Sequence, residues 1–461
     1  MMHSQGVGFQ PTPFCFVITA ALRKGTMKDK AGRWGWFLAL ILSAALLPCS
    51  TAAADVAETR CDEFLTALRD GKYKDATAHF NSLMSAALDP DKLASTWQQL
   101  TAGHGKLLGW ELSGRSRAAG NEVIVESLRF EHESNLAAQI AVNSRTGEIS
   151  GFYVIPAPSS PSYPTGARFR SENVQVGNAP FLLPGILTIP AAGKGPWPAV
   201  VMLGGSGPHD KDETIGPNHP FRDIAEGLSS RGIVVLRYDK RTLLYAKQMD
   251  PRHTTVKEEY LDDAVAAVNL LRSRPEVARD RIFVAGHSLG ATIAPEVALK
   301  AAPVQGLILL APGGRKLARI IVQQMRFLEE ASHQQLDEIE RKANELDNHQ
   351  MPATENFMGV PASYYYDLDA RDEVATARQL GVPILILHGG RDYQAIDEDI
   401  AHWQNGLKGA AHVKVETFPA LNHLFIAGSG KPGPREYSTA GHVDEQVIAA
   451  MAAFIADPLS N

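Results

Sequence analysis

The stretch Arg281-Ile282-Phe283-Val284-Ala285-Gly286-His287-Ser288-Leu289-Gly290 decides the fold. Its first half is short, apolar and β-prone, as a buried strand requires. Beyond Gly290 an apolar helical pattern continues to Ala298. Between them stands G-x-S-x-G, with His287 and Leu289 at the two variable positions. A serine displayed on a tight strand-to-helix turn adopts a strained backbone. Side chains at the two flanking positions would collide with the strand and the helix, so glycine is needed at Gly286 and Gly290. By composition alone such a pentapeptide turns up roughly once in five chains of this kind. The strand before it and the helix after it make Ser288 a candidate nucleophile.

Outward from this turn, strands and helices alternate. Residues 181–189, 198–203, 233–238, 281–285, 306–310, 383–387 and 413–418 read as strands, and 221–231, 256–273 and 445–456 as helices. Near-continuous apolar strands alternating with helices predict an α/β fold, a mostly parallel sheet covered on both faces. The site of such a sheet lies beyond the carboxyl ends of its strands. An insertion at about 313–380 has no strand pattern and reads as a cap. Its first part is helical and charged, and its second carries Phe357 and Tyr364-Tyr365-Tyr366.

A serine nucleophile needs a base and an orienting acid, following it in the order Asp, His. Asp392 follows the 383–387 strand, and His423 follows the 413–418 strand. Asp397 and Asp399 are rival acids, and His402, His412 and His442 rival bases, but most of these fall on helices or before strands. The oxyanion donors should be the N–H of Leu289 and an N–H of Gly204-Gly205-Ser206-Gly207-Pro208, after the 198–203 strand. Ser206 is the expected donor, with Gly205 as the fallback. The following His209-Asp210-Lys211-Asp212-Glu213 fits equally a pocket rim or a solvated turn. Neither phosphate-binding glycine pattern occurs there. This chemistry needs no cofactor and no metal, so none is implied.

Upstream, four prolines between 156 and 165 mark a linker. Residues 55–155 read first as helices (58–68, 76–88 and 92–100), then as strands (122–126, 137–142 and 149–155), an α+β order. Residues 1–54 are of another kind. They carry five basic groups and one acid, against 40 basic and 50 acidic in the rest, so a net −6 divides into +4 and −10. Lys28, Lys30 and Arg33, then an apolar run 34–47, then Ala52-Ala53-Ala54, have the form of a secretory signal. Cleavage is expected after Ala54, with Met27 the better start. A lipid anchor at Cys49 and an uncleaved anchor helix are the alternatives. Of the three cysteines, only Cys61 would remain, expected half-buried on a helix. No stable membrane span is expected after processing. Composition, at 44% hydrophobic and 21% charged, is that of a globular protein. The acidic balance speaks against nucleic acid as a partner, and the oligomeric state is not legible.

Together these residues resemble the α/β-hydrolase superfamily over 166–461. Gly286–Gly290 is similar to its nucleophile elbow, Asp392 to its acid and His423 to its base. Residues 204–212 resemble the Gly-Ser-Gly-Pro-x-Asp-Arg-Asp loop of a bacterial serine esterase subgroup related to dienelactone hydrolases and prolyl-oligopeptidase-like domains. Arg237-Tyr238-Asp239-Lys240-Arg241 resembles that subgroup's next strand end. Gly204 departs from it, since many relatives have His there. The resemblance implies a cystatin-like domain at 55–155 and hydrolysis of small carboxylic esters with short to medium acyl chains. The protein is therefore expected to be an exported, periplasmic or secreted serine carboxylesterase. The alternatives are a peptidase or acyltransferase using the same three residues, or an envelope-binding module built on a hydrolase scaffold.

Overall fold

The computed structural model describes residues 51–118, 120–132, 136–156, 163, 168–301, 303–329 and 331–459. The signal-like run, Cys49 and most of the proline-rich segment lie outside these residues.

The N-terminal part has helices first. Thr51–Arg69 is a long helix, followed by Tyr73–Ala76, Ser82–Ala87 and Pro90–Leu100. Asp89 caps the last, its carboxylate accepting from Lys92 N at 2.9 Å. The single helix expected over 76–88 is instead two short ones. Asn81 starts the second by accepting from Met84 N, and this rotates Met84 inward. Leu83, in the same helix, is left 73% exposed. Four strands follow, β1 (Leu107–Ala118), β2 (Asn121–Phe130), β3 (Leu136–Asn143) and β4 (Ile149–Pro156), as an antiparallel meander. Phe64, Trp97, Ile124 and Ile140 are packed between helices and sheet. Cys61 is fully buried there rather than half-buried.

The second part is built on an eight-stranded sheet, of strands β5 (Phe169–Asn178), β6 (Phe181–Pro190), β7 (Trp197–Leu203), β8 (Val234–Tyr238), β9 (Val277–His287) and β10 (Gly306–Leu310). After a two-stranded ribbon in the insertion, β11 (Asn356–Phe357) with β12 (Val360–Pro361), the sheet is completed by β13 (Ile384–Gly389) and β14 (Val413–Phe418). The order is β14-β13-β10-β9-β7-β8-β6-β5, parallel except at β6 and β5. This is the mostly parallel α/β sheet the strand runs predict, and it agrees with the α/β-hydrolase fold that the resemblance implies.

The period of two along each strand divides the core. Ile282 and Val284 of β9 face the helices Asp262–Ser273, Leu289–Ala301 and Glu373–Leu380. Phe283 and Ala285 face Pro220–Ser229 and Glu445–Ala456. Tyr163, placed by its sequence in the linker, belongs to this second layer. It is buried, and its hydroxyl donates to Asp223 Oδ1 at 2.7 Å, so the second core reaches back past residue 166.

The insertion carries its own small core of Val322, Leu346, Met351, Phe357 and Tyr365. The aromatic cluster is therefore largely structural. The helix Glu373–Leu380 is not part of a cap, because Val374 and Ala377 pack into the sheet's main core. The helix Leu317–Leu328 does approach the strand ends: Phe327 stacks on Tyr393 with ring centroids 5.5 Å apart.

Candidate active site

Four strand ends meet at one edge of the sheet. β9 runs straight into Ser288, whose φ of 53° places it in the left-handed region. Its N–H donates to Leu310 O at 2.8 Å, tying the turn to the end of β10. The helix Leu289–Ala301 begins at the next residue. The glycines flanking the turn are there for steric reasons. A Cβ on Gly286 would overlap the Gly290 carbonyl, and one on Gly290 would overlap the carbonyls of Leu203 and Gly204. Each obstacle is backbone and cannot turn aside. Gly290→Ala is thus expected to destabilise the fold by about 4 kcal/mol or more, read as loss of soluble yield and of the thermal transition.

β13 and β14 bring the acid to the base. Gly389 and Gly390 let the turn after β13 press against the turn after β14. A Cβ on Gly389 would lie 2.5 Å from Asn422 O, and one on Gly390 would lie 2.7 Å from Pro419 Cα. Across this contact His423 Nδ1 meets Asp392 Oδ2 at 2.6 Å. Asp392 Oδ1 accepts from the N–H groups of Gln394 and Ala395, fixing the carboxylate. Buried Asn422 shapes the base's turn by accepting from Leu424 N and Ile426 N.

Both rival acids and one rival base, His442, are engaged elsewhere. Asp399 is bound by Arg315 at 2.6 Å, and Asp397 holds His388 at 3.0 Å. His442 lies against Asp223.

The loop after β7 has an ordered design. The N–H of Gly205 donates to Glu213 Oε1 at 2.6 Å. Gly205 is thereby corrected as the fallback oxyanion donor, because its hydrogen is already committed. Among the described residues, the N–H groups of Ser206 and Leu289 meet no acceptor, which leaves these two available. Gly205 lies against the nucleophile, since a Cβ on it would be 3.3 Å from Ser288 Cβ.

The charged run 209–213 is not a solvated turn. It is latched to the end of β8: Arg237 Nε donates to Asp212 at 2.6 Å and Lys211 N to Asp239 at 2.8 Å. Buried Arg241 holds Asp263.

Glu213 and His287 form a pair that sequence reasoning did not find. His287 Nδ1 meets Glu213 Oε1 at 3.0 Å, and its Nε2 meets the carbonyl of His423 at 2.9 Å. An ionised carboxylate and a carbonyl both accept, so both ring nitrogens of His287 are placed to donate, as an imidazolium does. Burial alone would raise the Glu213 carboxyl, but the charge and hydrogen bond of His287 overcome it and hold it at about 2. Burial pulls His287 down, and Glu213 more than restores it, to above the ordinary histidine value. This pair joins three pieces of the site, namely the Gly205 loop, the elbow and the turn bearing His423.

A separate cavity of about 590 Å³ lies between the insertion and Ile396, lined by Arg315, Arg319 and Arg326 among others. Its guanidinium groups already pair with Asp399, Asp347 and Glu340, and it includes none of Ser288, Asp392 and His423.

Residues 219–427 match the family described as Hydrolase_4: Serine aminopeptidase, S33. The chain is 36% identical over 402 residues to "Esterase EstD" of Thermotoga maritima, covering 84% of this chain and 93% of the relative. That alignment is longer than the roughly 300 residues of the second part, so it takes in the N-terminal helices and strands as well. Among solved structures, Est1E from Butyrivibrio proteoclasticus is 17% identical over 63% of this chain and 99% of its own, with a TM-score of 0.43. A 2,6-dihydroxy-pseudo-oxynicotine hydrolase is 18% identical over 63% and 68%, with a TM-score of 0.41.

Proposed function

Because the chain belongs to the α/β-hydrolase family that contains Esterase EstD, we propose that it is an exported serine carboxylesterase acting on esters of short to medium acyl chains. The observation that carries this is the His423–Asp392 contact of 2.6 Å, at the same sheet edge as a serine held at positive φ on the elbow.

In this mechanism His423 Nε2 takes the proton from Ser288 Oγ as the oxygen adds to the ester carbonyl. The developing oxyanion is received by the N–H groups of Ser206 and Leu289. Collapse breaks the C–O bond, and His423 passes its proton to the departing alkoxide, leaving an acyl-enzyme. Water, deprotonated by His423, adds to the acyl carbon, and the second collapse returns the proton to Ser288 Oγ and releases the acid. Asp392 keeps the imidazole oriented and stabilises its cationic form. The basic, apolar, alanine-terminated leader supports export.

The family description favours a second reading, an aminopeptidase. Such an enzyme needs a free acidic group near the serine to hold the substrate's ammonium. Three acids of the adjoining loops are occupied, Glu213 by His287 and Gly205, Asp212 by Arg237, and Asp239 by Lys211. This supports the esterase.

The test is a panel of p-nitrophenyl esters from acetate to dodecanoate beside aminoacyl p-nitroanilides. Acetate and butyrate are expected to give kcat/KM at least 100-fold above any anilide. A preference for the anilides would overturn the assignment.

A further inference from the structure

Buried beneath the Gly205 loop is a polar cluster that the reaction above does not use. Lys240 Nζ donates to Gly205 O at 2.8 Å, to Glu259 Oε1 at 2.7 Å and to Tyr260 Oη at 2.8 Å. The Tyr260 hydroxyl in turn donates to the same Gly205 O at 2.6 Å. An ammonium has three hydrogens and here finds three acceptors. A phenol has one hydrogen, and it goes to the carbonyl. Both groups are buried.

Glu259 and Tyr260 both lie on a widened π turn, Lys257–Leu261. Successive residues of an α-helix diverge by about 100°, yet neighbouring Glu259 and Tyr260 both reach one nitrogen. π turns of this kind occur often at functional sites. The turn's start is held from the insertion, where Asp367 Oδ2 accepts from Val256 N at 2.9 Å.

We infer that Lys240 and Tyr260 are positioning residues for the oxyanion hole, acting through the peptide unit that joins Gly205 to Ser206. In a trans peptide the C=O and the following N–H point in opposite directions within one plane. Two donors on Gly205 O therefore fix the direction of the Ser206 N–H. They also draw electron density toward the oxygen, which makes that N–H a stronger donor. On the other side of Gly205, Glu213 holds its N–H, so the peptide planes on both sides are pinned. Glu259 balances the Lys240 charge, so the clamp adds no unpaired ion. The role of Ser206 as donor rests on the catalytic reading above.

The test uses Tyr260→Phe and the double variant Lys240→Met/Glu259→Gln, which removes both charges together and leaves neither ion buried alone. Measured are kcat and KM for p-nitrophenyl butyrate, the affinity of a trifluoromethyl ketone that forms a tetrahedral adduct, and fluorophosphonate labelling of Ser288. Tyr260→Phe is expected to lower kcat about 10-fold, and the double variant about 100- to 1,000-fold. KM should stay within twofold, while ketone affinity falls in step with kcat. A merely structural role would not weaken the tetrahedral adduct selectively. If both variants keep kcat and ketone affinity within twofold while Ser288 still labels, the inference is overturned and the esterase stands. If wild-type protein neither labels at Ser288 nor hydrolyses the ester, the catalytic reading fails and takes the inference with it.

Discussion

Ser288→Ala is expected to lower p-nitrophenyl butyrate hydrolysis by roughly 10⁴- to 10⁶-fold and to abolish fluorophosphonate labelling, with the melting temperature unchanged within about 2 °C. The size follows from the chemistry, because without Oγ no acyl-enzyme forms. What remains is water attack helped by the Ser206 and Leu289 N–H groups alone. The unchanged stability follows from the backbone. Ser288 sits at a φ of 53°, a conformation that alanine pays for just as serine does, since both carry a Cβ. Its backbone bond to Leu310 O is indifferent to the side chain. Activity and folding are thereby separated. Ester hydrolysis retained within tenfold of wild type would mean that another group is the nucleophile.

How legible this site was depends on how far each residue's partners lie along the chain. Ser288, Asp392 and His423 each follow a run of apolar β-formers and precede a helix or tight turn, so local pattern and chain order were enough to propose them. The strands of the sheet's middle were legible for the same reason. β5 was not, because it is an edge strand paired only with β6, and its sequence FRSENVQVGN buries only Val176. Nor was β1, which is interrupted by Gly109 and Gly114 and shows register shifts against β2. Glu213, Lys240 and Tyr260 were missed on different grounds. Glu213 sits in a charged run that reads locally as solvated, and its partner His287 is 74 residues away. Lys240 reaches Gly205, 35 residues earlier. Only the fold brings these together. The one available signal was the pairing of 204–213 with 237–241 as two charged motifs at successive strand ends, which the structure shows latched by Arg237–Asp212 and Asp239–Lys211.

The Glu213–His287 pair carries the second large effect. Glu213→Gln is expected to destabilise the protein by about 3 kcal/mol or more, a fall in melting temperature of roughly 6–12 °C, and to lower kcat at least 10-fold. Glutamine keeps the shape but cannot keep the bonds. One atom, Glu213 Oε1, accepts from both Gly205 N and His287 Nδ1. Without the carboxylate, buried His287 loses the charge that keeps it protonated, and a neutral ring has one N–H for two acceptors. Turning the amide to donate to the ring would present an NH₂ to the Gly205 N–H. Either way a buried polar group is left unpaired, and the loop that carries Ser206 is released. The pH dependence has a definite sign at each end. His287 is raised in the fold, so its share is complete below its unfolded value near 6.5 and is lost as pH climbs through the raised one. Glu213 is depressed to about 2, so its share is complete above its unfolded value near 4.5 and is lost as pH falls toward 2. The stability gap between wild type and Glu213→Gln should therefore be widest between pH 4.5 and 6.5 and narrow on both sides, as measured by thermal unfolding from pH 3 to 10. A gap under 1 kcal/mol, or one constant across that range, would mean that His287 is neutral and that the two side chains share a neutral hydrogen bond.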